Sequence, residues 1–446
     1  MIKGTLILTS AGLVSRVLGF FFRIFLSHTF GEEQVGLYQL IFPFYALCLS
    51  LSTSGLETAI SRSVSRFHSL GRTQDGKLIF QTGLILSVLI SLICTFSGTE
   101  EFRFSFKSFS WRSKMCNTII SDRSCTSGGF CPQLYLWLSL WSAKNLCPGY
   151  FTVNRTICSN FFCFVLYFIL YTVEFTLRFH WLYQVLIFGE LAAAGYSHFF
   201  TEEEGFDADS PYILSISKSC SELLRLSVPL TVNRTAITFL QGIEAASIPV
   251  CLELASHSAS EALSIYGVLT GMALPCILFP CALTNSVSLL LIPAVAQKQA
   301  ESSSKETFLL IKNGCRRMFL PWSSVFCLLS SYRVFSRNFL FHSTLAGNFI
   351  ITLAWICPFL YTSSALLSAI NGLGLTTLTL MINLLGLSIR ILSVYFGIPH
   401  YGITGYLWGL FISQSTVCLV ALLTLSHEIK KNIYNLLNQP RIKTGL

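Results

Sequence analysis

The chain has 446 residues, 52% of them hydrophobic and 11% charged, with a formal net charge of +9. An ordinary soluble domain carries about 25% charged residues, so a string of soluble domains is excluded and one integral membrane unit is predicted. The positive balance does not mark a nucleic-acid partner: Lys and Arg gather in short loops and in the tail after Leu425, where they report membrane orientation.

The first element, Thr5 to His28, is almost wholly apolar and long enough to cross a bilayer, yet it holds Arg16 and Arg23. Each arginine costs about 2.5 to 3.5 kcal/mol at a helix centre, roughly 5 to 7 kcal/mol together. Seven residues at about 100° each return nearly to the starting azimuth, so both project from one helix face. A polar cavity lined by two cations, attractive to an anionic ligand, is predicted. No small-residue cleavage site follows this apolar stretch, so it is expected to stay as a helix.

Further spans of about 20 residues are predicted at Leu37 to Ile60, Leu78 to Ser97, Ile157 to Phe175 and Trp181 to Phe200. A second group comprises Leu226 to Val250, Leu263 to Ala294, Met318 to Phe335, Gly347 to Ile370, Thr377 to Ile398 and Ile403 to Ser426. A weaker candidate, Phe130 to Ala143, brings the total to twelve. Basic residues Arg62, Arg66, Arg72 and Lys77 after the second span, and Lys298 to Arg317 later, place those loops in the cytoplasm. Lys430, Lys431, Arg441 and Lys443 place the C-terminus there too, and alternation over twelve spans puts both termini inside. Glu32 and Glu33 fall in an outside loop, Gly31 to Gly36.

The expected fold is all-α: about twelve transmembrane helices in two pseudo-symmetric lobes, although no internal sequence repeat is evident. Residues 1–200 form the first lobe, the acidic stretch 201–219 a cytoplasmic linker, 220–426 the second lobe and 427–446 a basic cytoplasmic tail. Residues 99–184 read differently from their surroundings, with six cysteines, four of the seven tryptophans and eight Lys or Arg where spans belong. Such mixtures resemble translation in a shifted reading frame, and residues 315–337 look similar. The alternative is a divergent extracellular segment.

Gly71 to Leu78 matches GxxxxGK but ends in Leu where a phosphate loop needs a magnesium-binding hydroxyl, and no strand precedes it. HExxH, GxSxG and a nucleotide-binding GxGxxG are absent, so the enzyme reading lacks a nucleophile or metal site. The sixteen cysteines show no CxxC pair and no histidine cluster at ligand spacing, so no cofactor is expected. Asn154 to Thr156 and Asn233 to Thr235 fit a glycosylation pattern by chance.

Intramembrane charges are more informative. Arg234 and Glu244 fall in the sixth long span, Glu57 near the end of the second and Arg390 in the penultimate one. Such groups face a watery interior or a partner. Arg234 and Glu244 are about 80° and 15 Å apart on a helix, too far to pair directly. Arg390 is read as a structural ion pair. Gly267, Gly271, Pro275, Pro280 and Pro293 are expected to kink or interrupt their span and to leave carbonyls unpaired, with Gly271, Pro275 and Pro280 as hinges. Taken singly, Gly267 and Gly271, like Gly405 and Gly409, fit a GxxxG helix contact.

The opening Lys3 to Leu8, Arg16-Val17-Leu18-Gly19-Phe20, Arg23, Gly31-Glu32-Glu33 and Val35-Gly36-Leu37-Tyr38 resembles the start of the stage V sporulation protein B family. Gly55 to Arg62, Tyr266 to Pro275, Leu291 to Val295 and Asn371 to Gly374 extend the resemblance to about three quarters of the chain. It lapses across residues 99–184 and 315–337. That family lies in the multidrug/oligosaccharidyl-lipid/polysaccharide flippase superfamily, with relatives among lipid II flippases. The resemblance implies two lobes of helices and a flippase of an undecaprenyl-pyrophosphate-linked saccharide, the peptidoglycan precursor of the spore cortex, in the bacterial cell membrane. It implies that Arg16 and Arg23 line the central cavity and that Arg234 adds a basic residue there. Substrate-binding residues are thus expected to be Arg16, Arg23 and Arg234, with Glu57 and Glu244 as candidates for ion coupling. The expected partners are a lipid-linked oligosaccharide or lipid II and membrane lipids. Two rivals stand beside this reading: a cation-coupled multidrug exporter of the same superfamily, which wants an acidic cavity, and a membrane-embedded glycan polymerase or ligase.

Overall fold

The computed structural model describes residues 2–51, 55–69, 72, 74–83, 85–87, 89–90, 215–278, 295 and 343–437. Every regular element among the described residues is helical. The expected spans 130–143, 157–175, 181–200 and 318–335 lie outside the described residues, as do the anomalous stretches 99–184 and 315–337 and the acidic residues 201–214.

The first expected span and residues 37–49 of the second lie on one helical run, α1 (Ile2–Leu49), interrupted at Gly31 alone (φ 79°, ψ 175°), while residues 55–60 of the second fall on the next helix. Only glycine enters that region without a β-carbon penalty, so one residue does what a six-residue loop was expected to do. Helix α2 (Gly55–Ser69) and a helical stretch over residues 74–83 follow. Then comes α3 (Ile216–Leu254), which contains the expected span 226–250 and begins inside the expected linker.

Helix α4 (Ala259–Gly267) starts with a capping box: the Ser258 hydroxyl accepts from the Glu261 main chain, and the Glu261 carboxylate accepts from the Ser258 N–H. It runs on through a π turn, Val268–Ala273, into α5 (Leu274–Leu278). Beyond are α6 (Thr344–Ala354) and α7 (Cys357–Gly372), bent by 52° to each other. Helix α8 (Thr376–Leu392), a second π turn (Ser393–Gly397), α9 (Ile398–Tyr401) and α10 (Ile403–Leu437) complete the order. Four helices among the described residues are long and apolar enough to cross a membrane, with α6 and α7 a fifth if they act as one span.

The chain divides into two compact units: Met1–Phe22 with Leu40–Ala245, and Arg23–Gln39 with Ala246–Leu446. In the first, Leu56, Ala59, Ile60, Phe67, Ile79 and Leu223 form a core. Glycine permits its tightest approach: a β-carbon on Gly55 would run into Ser227 and Thr231 of α3. Within the GxxxxGK stretch, Arg72 grips the buried Asp75, in the helix over residues 74–83, through Nε (2.8 Å) and Nη2 (2.6 Å). The same guanidinium lies 5.2 Å from the Phe67 ring centre.

The second unit has a core of Leu366, Ala369, Ile370, Ile382, Val417, Ala421 and Leu425, drawn from α7, α8 and α10. Gly405 faces the main chain of Gly397, and Gly409 faces Ser393. Both glycines therefore serve helix contact, as small residues do where backbones approach.

Candidate functional site

The described structure around Arg23 is built by two packed segments of the second unit, residues 23–39 of α1 and the helix from Ala259 to Leu278. The GxxxG pair makes the packing close. A β-carbon on Gly267 would collide with the main chain of Glu32 and Gly36, one on Gly271 with Val35, and one on Gly36 with the Leu263 carbonyl. At the head of α4 the Ser260 hydroxyl donates to Glu33 (2.7 Å). Deeper, the Ser27 hydroxyl points at the Met272 sulfur (3.6 Å).

At this seam the half-buried Arg23 donates from Nη1 to the main-chain carbonyl of Thr270 (3.0 Å), 247 residues away. The π turn explains why that carbonyl accepts. In an α-helix the Leu274 N–H would serve Thr270, but here it bonds to Leu269, one residue further back. A continued π register would call on residue 275 instead, which is proline and has no N–H. The Thr270 hydroxyl cannot help, because it donates to the Tyr266 carbonyl (2.7 Å). A buried carbonyl left without a donor costs about 1 to 3 kcal/mol, and a charged donor is among the strongest remedies.

No carboxylate among the described residues pairs with Arg23. Among the described residues, the side chains of Tyr38 and Cys276 lie close enough to act on it electrostatically. Among the described residues this guanidinium, in an apolar helix, has a main-chain partner and no counter-charge, and its remaining N–H groups are suited to an anion.

The other expected residues are distributed as follows. Arg16 lies seven residues before Arg23 on the same uninterrupted limb of α1 and belongs to the first unit. Arg234 is exposed on α3, while Glu244, ten residues on, is buried at 2% exposure, so the two occupy different faces. Glu57 lies in the first turn of α2. Gly271 is inside the π turn and Pro275 begins α5; Pro280 lies outside the described residues. Over the described residues Ala259 to Leu278 the helix carrying Gly271 and Pro275 is not interrupted: its irregularity there is a register change over Val268–Ala273. Arg390, in the last turn of α8, is half-buried and engaged. Of the expected set, the described contacts bring Arg23 to the Gly271 to Pro275 segment. Thr270 was missed by residue type, since its carbonyl and not its side chain is used. The available signal was a proline five residues downstream.

Residues 1–104 match the family described as Polysaccharide biosynthesis protein. Stage V sporulation protein B of Bacillus subtilis (strain 168) is 25% identical over 97% of this chain and 85% of its own length. Lipid II flippase MurJ of the same organism is 28% identical over 96 residues, 22% of this chain and 18% of that protein. Among solved structures, the inward-facing conformation of a multidrug resistance MATE family transporter of the MOP superfamily aligns with a TM-score of 0.74. It is 13% identical, covering 96% of this chain and 99% of that one. The resemblance to the flippase superfamily holds, and the fold is that of a polytopic MOP-superfamily transporter. Where the names of these relatives state an activity, it is that of a flippase or a transporter.

Proposed function

We propose that this chain, a multi-pass membrane flippase or transporter by its fold and relatives, moves an undecaprenyl-pyrophosphate-linked saccharide across the bacterial cell membrane by alternating access. The observation that carries the reading is Arg23: a half-buried guanidinium in an apolar helix, held by a carbonyl and balanced by no described carboxylate. A pyrophosphate supplies the missing negative charge and presents paired oxygens that match the guanidinium fork. The lipid tail stays in the bilayer, so only the headgroup needs a polar route. The names of the sporulation protein and of the lipid II flippase favour a peptidoglycan precursor of lipid II type, used for the spore cortex.

In this reading Arg16 and Arg234 complete the headgroup site. Glu57 and the buried Glu244 couple transport to an ion, and Gly271, Pro275 and Pro280 provide the hinge. The lobes are residues 1–200 and 220–426, joined by the acidic linker 201–219, with both termini and the basic tail 427–446 in the cytoplasm. The sequence offers no ATP site, so the drive comes from an ion gradient or the membrane potential, about 2.3 kcal/mol per charge per 100 mV.

Headgroup protection in reconstituted vesicles tests it. Arg16→Ala with Arg23→Ala is expected to slow translocation of a lipid II probe by about tenfold to a hundredfold, the loss of one or two charge-assisted contacts. Translocation at the parent rate would overturn the site assignment. Export of a cationic dye without headgroup movement would instead place the chain with multidrug transporters.

A further inference from the structure

The Arg23 contact assigns a task to a residue that touches no ligand. We infer that Pro275 is a positioning residue for Arg23: by withholding its N–H where the π turn has already redirected that of Leu274, it reserves the Thr270 carbonyl for the guanidinium. The inference rests on the reading of Arg23 as a headgroup ligand, and adds how that ligand is aimed.

Three features meet here. The π register takes the Leu274 N–H to Leu269. Proline then removes the next available donor, at residue 275. Arg23 supplies the missing bond from another segment, at 3.0 Å. Close approach at Gly36, Gly267 and Gly271 brings the two segments together. A long arginine side chain loses rotamer freedom when it binds an anion. Fixing one end of its fork on a main-chain carbonyl removes part of that cost in advance and leaves the other donors for an anion. Lysine, with three rotatable donors on a compact ammonium and a flexible stem, lacks the fixed fork that holds a carbonyl on one edge and presents another edge to an anion.

A double-substitution cycle on the full chain in nanodiscs tests the inference without relying on transport. Arg23→Met is expected to lower the unfolding temperature by roughly 2 to 6 °C, because the Thr270 carbonyl is orphaned. In a Pro275→Ala background, where residue 275 can donate, the same change should cost less than about half of that. Additive effects would overturn the inference. Where the double variant does not fold, butanedione modification of Arg23 in Pro275→Ala alone, read by mass spectrometry, serves instead. A rise of roughly threefold or more in rate is expected as the carbonyl releases the side chain, and an unchanged rate would overturn the inference.

Binding of undecaprenyl pyrophosphate, as the probe, separates this from the parent reading. Weaker binding in Pro275→Ala that disappears as an effect once Arg23 is Met supports positioning, a result that lost packing alone would not produce. Coupling in stability together with binding indifferent to Arg23→Met would leave the carbonyl contact intact and remove the headgroup reading, and with it the positioning task.

Discussion

The second unit contains two π turns, Val268–Ala273 and Ser393–Gly397, built to one local plan. Each is followed by an apolar residue and a proline, Leu274-Pro275 and Ile398-Pro399. In each, the residue before the proline sends its N–H five residues back, Leu274 to Leu269 and Ile398 to Ser393. Each therefore strips one carbonyl of its helical donor, Thr270 in the first and Val394 in the second. Each also carries a hydroxyl that bonds backwards, Thr270 to Tyr266 (2.7 Å) and Ser393 to Arg390 (2.6 Å). The outcomes differ: an arginine from a remote segment reaches Thr270, whereas no side chain among the described residues donates to the Val394 carbonyl. Instead, Gly405 and Gly409 bring α10 against the second turn. A π turn is thus a generic source of a free carbonyl, and a functional site arises only where tertiary packing delivers a cation to it.

The comparison is sharpened first at the glycines. Gly267→Ala is expected to destabilise the protein by about 3 kcal/mol or more, because its β-carbon meets main chain that cannot turn aside. Gly386→Ala, whose β-carbon meets the side-chain ends of Val417 and Ser413, should cost only about 1 kcal/mol. Equal losses in chemical unfolding would mean that the first seam can shift.

The hydroxyls come next. Thr270→Val removes the described side-chain donor to Tyr266 and is expected to cost about 1 kcal/mol. Ser393→Ala should cost nearer 0.5 kcal/mol, since the Ser393 N–H still reaches Arg390. A larger loss for Ser393→Ala would reverse the ranking of the two turns.

The smallest effect is at the second proline. Pro399→Ala offers an N–H to the Val394 carbonyl and is expected to raise stability by about 0.5 kcal/mol, the new bond being partly offset by a freer unfolded chain. A loss of more than about 1 kcal/mol in thermal unfolding would indicate that this carbonyl already has a donor.

Much of this protein is legible residue by residue. The apolar runs predict helices at 226–250, 377–398 and 403–426, and α3, the α8 to α9 run and α10 fall over them, because hydrophobic length is a local property that the bilayer reads directly. The GxxxG spacing marks two close contacts. The seven-residue spacing of Arg16 and Arg23 on one helix limb was equally visible. A glycine break was legible less well: Gly31 to Gly36 reads as a loop, and only the backbone reveals that Gly31 alone leaves the helix.

What tertiary structure decided is where Arg23 spends a donor. Sequence periodicity reports which face of a helix is apolar, but not whether a turn runs in α or π register, since that depends on hydrogen bonds fixed by neighbouring packing. Arg23 to Gln39 join the unit formed with Ala246 to Leu446, so the partner of Arg23 lies 247 residues away. That partner is a main-chain carbonyl, a group every residue carries and no residue type announces. The charges were written in the chain, and the acceptor was made by the fold.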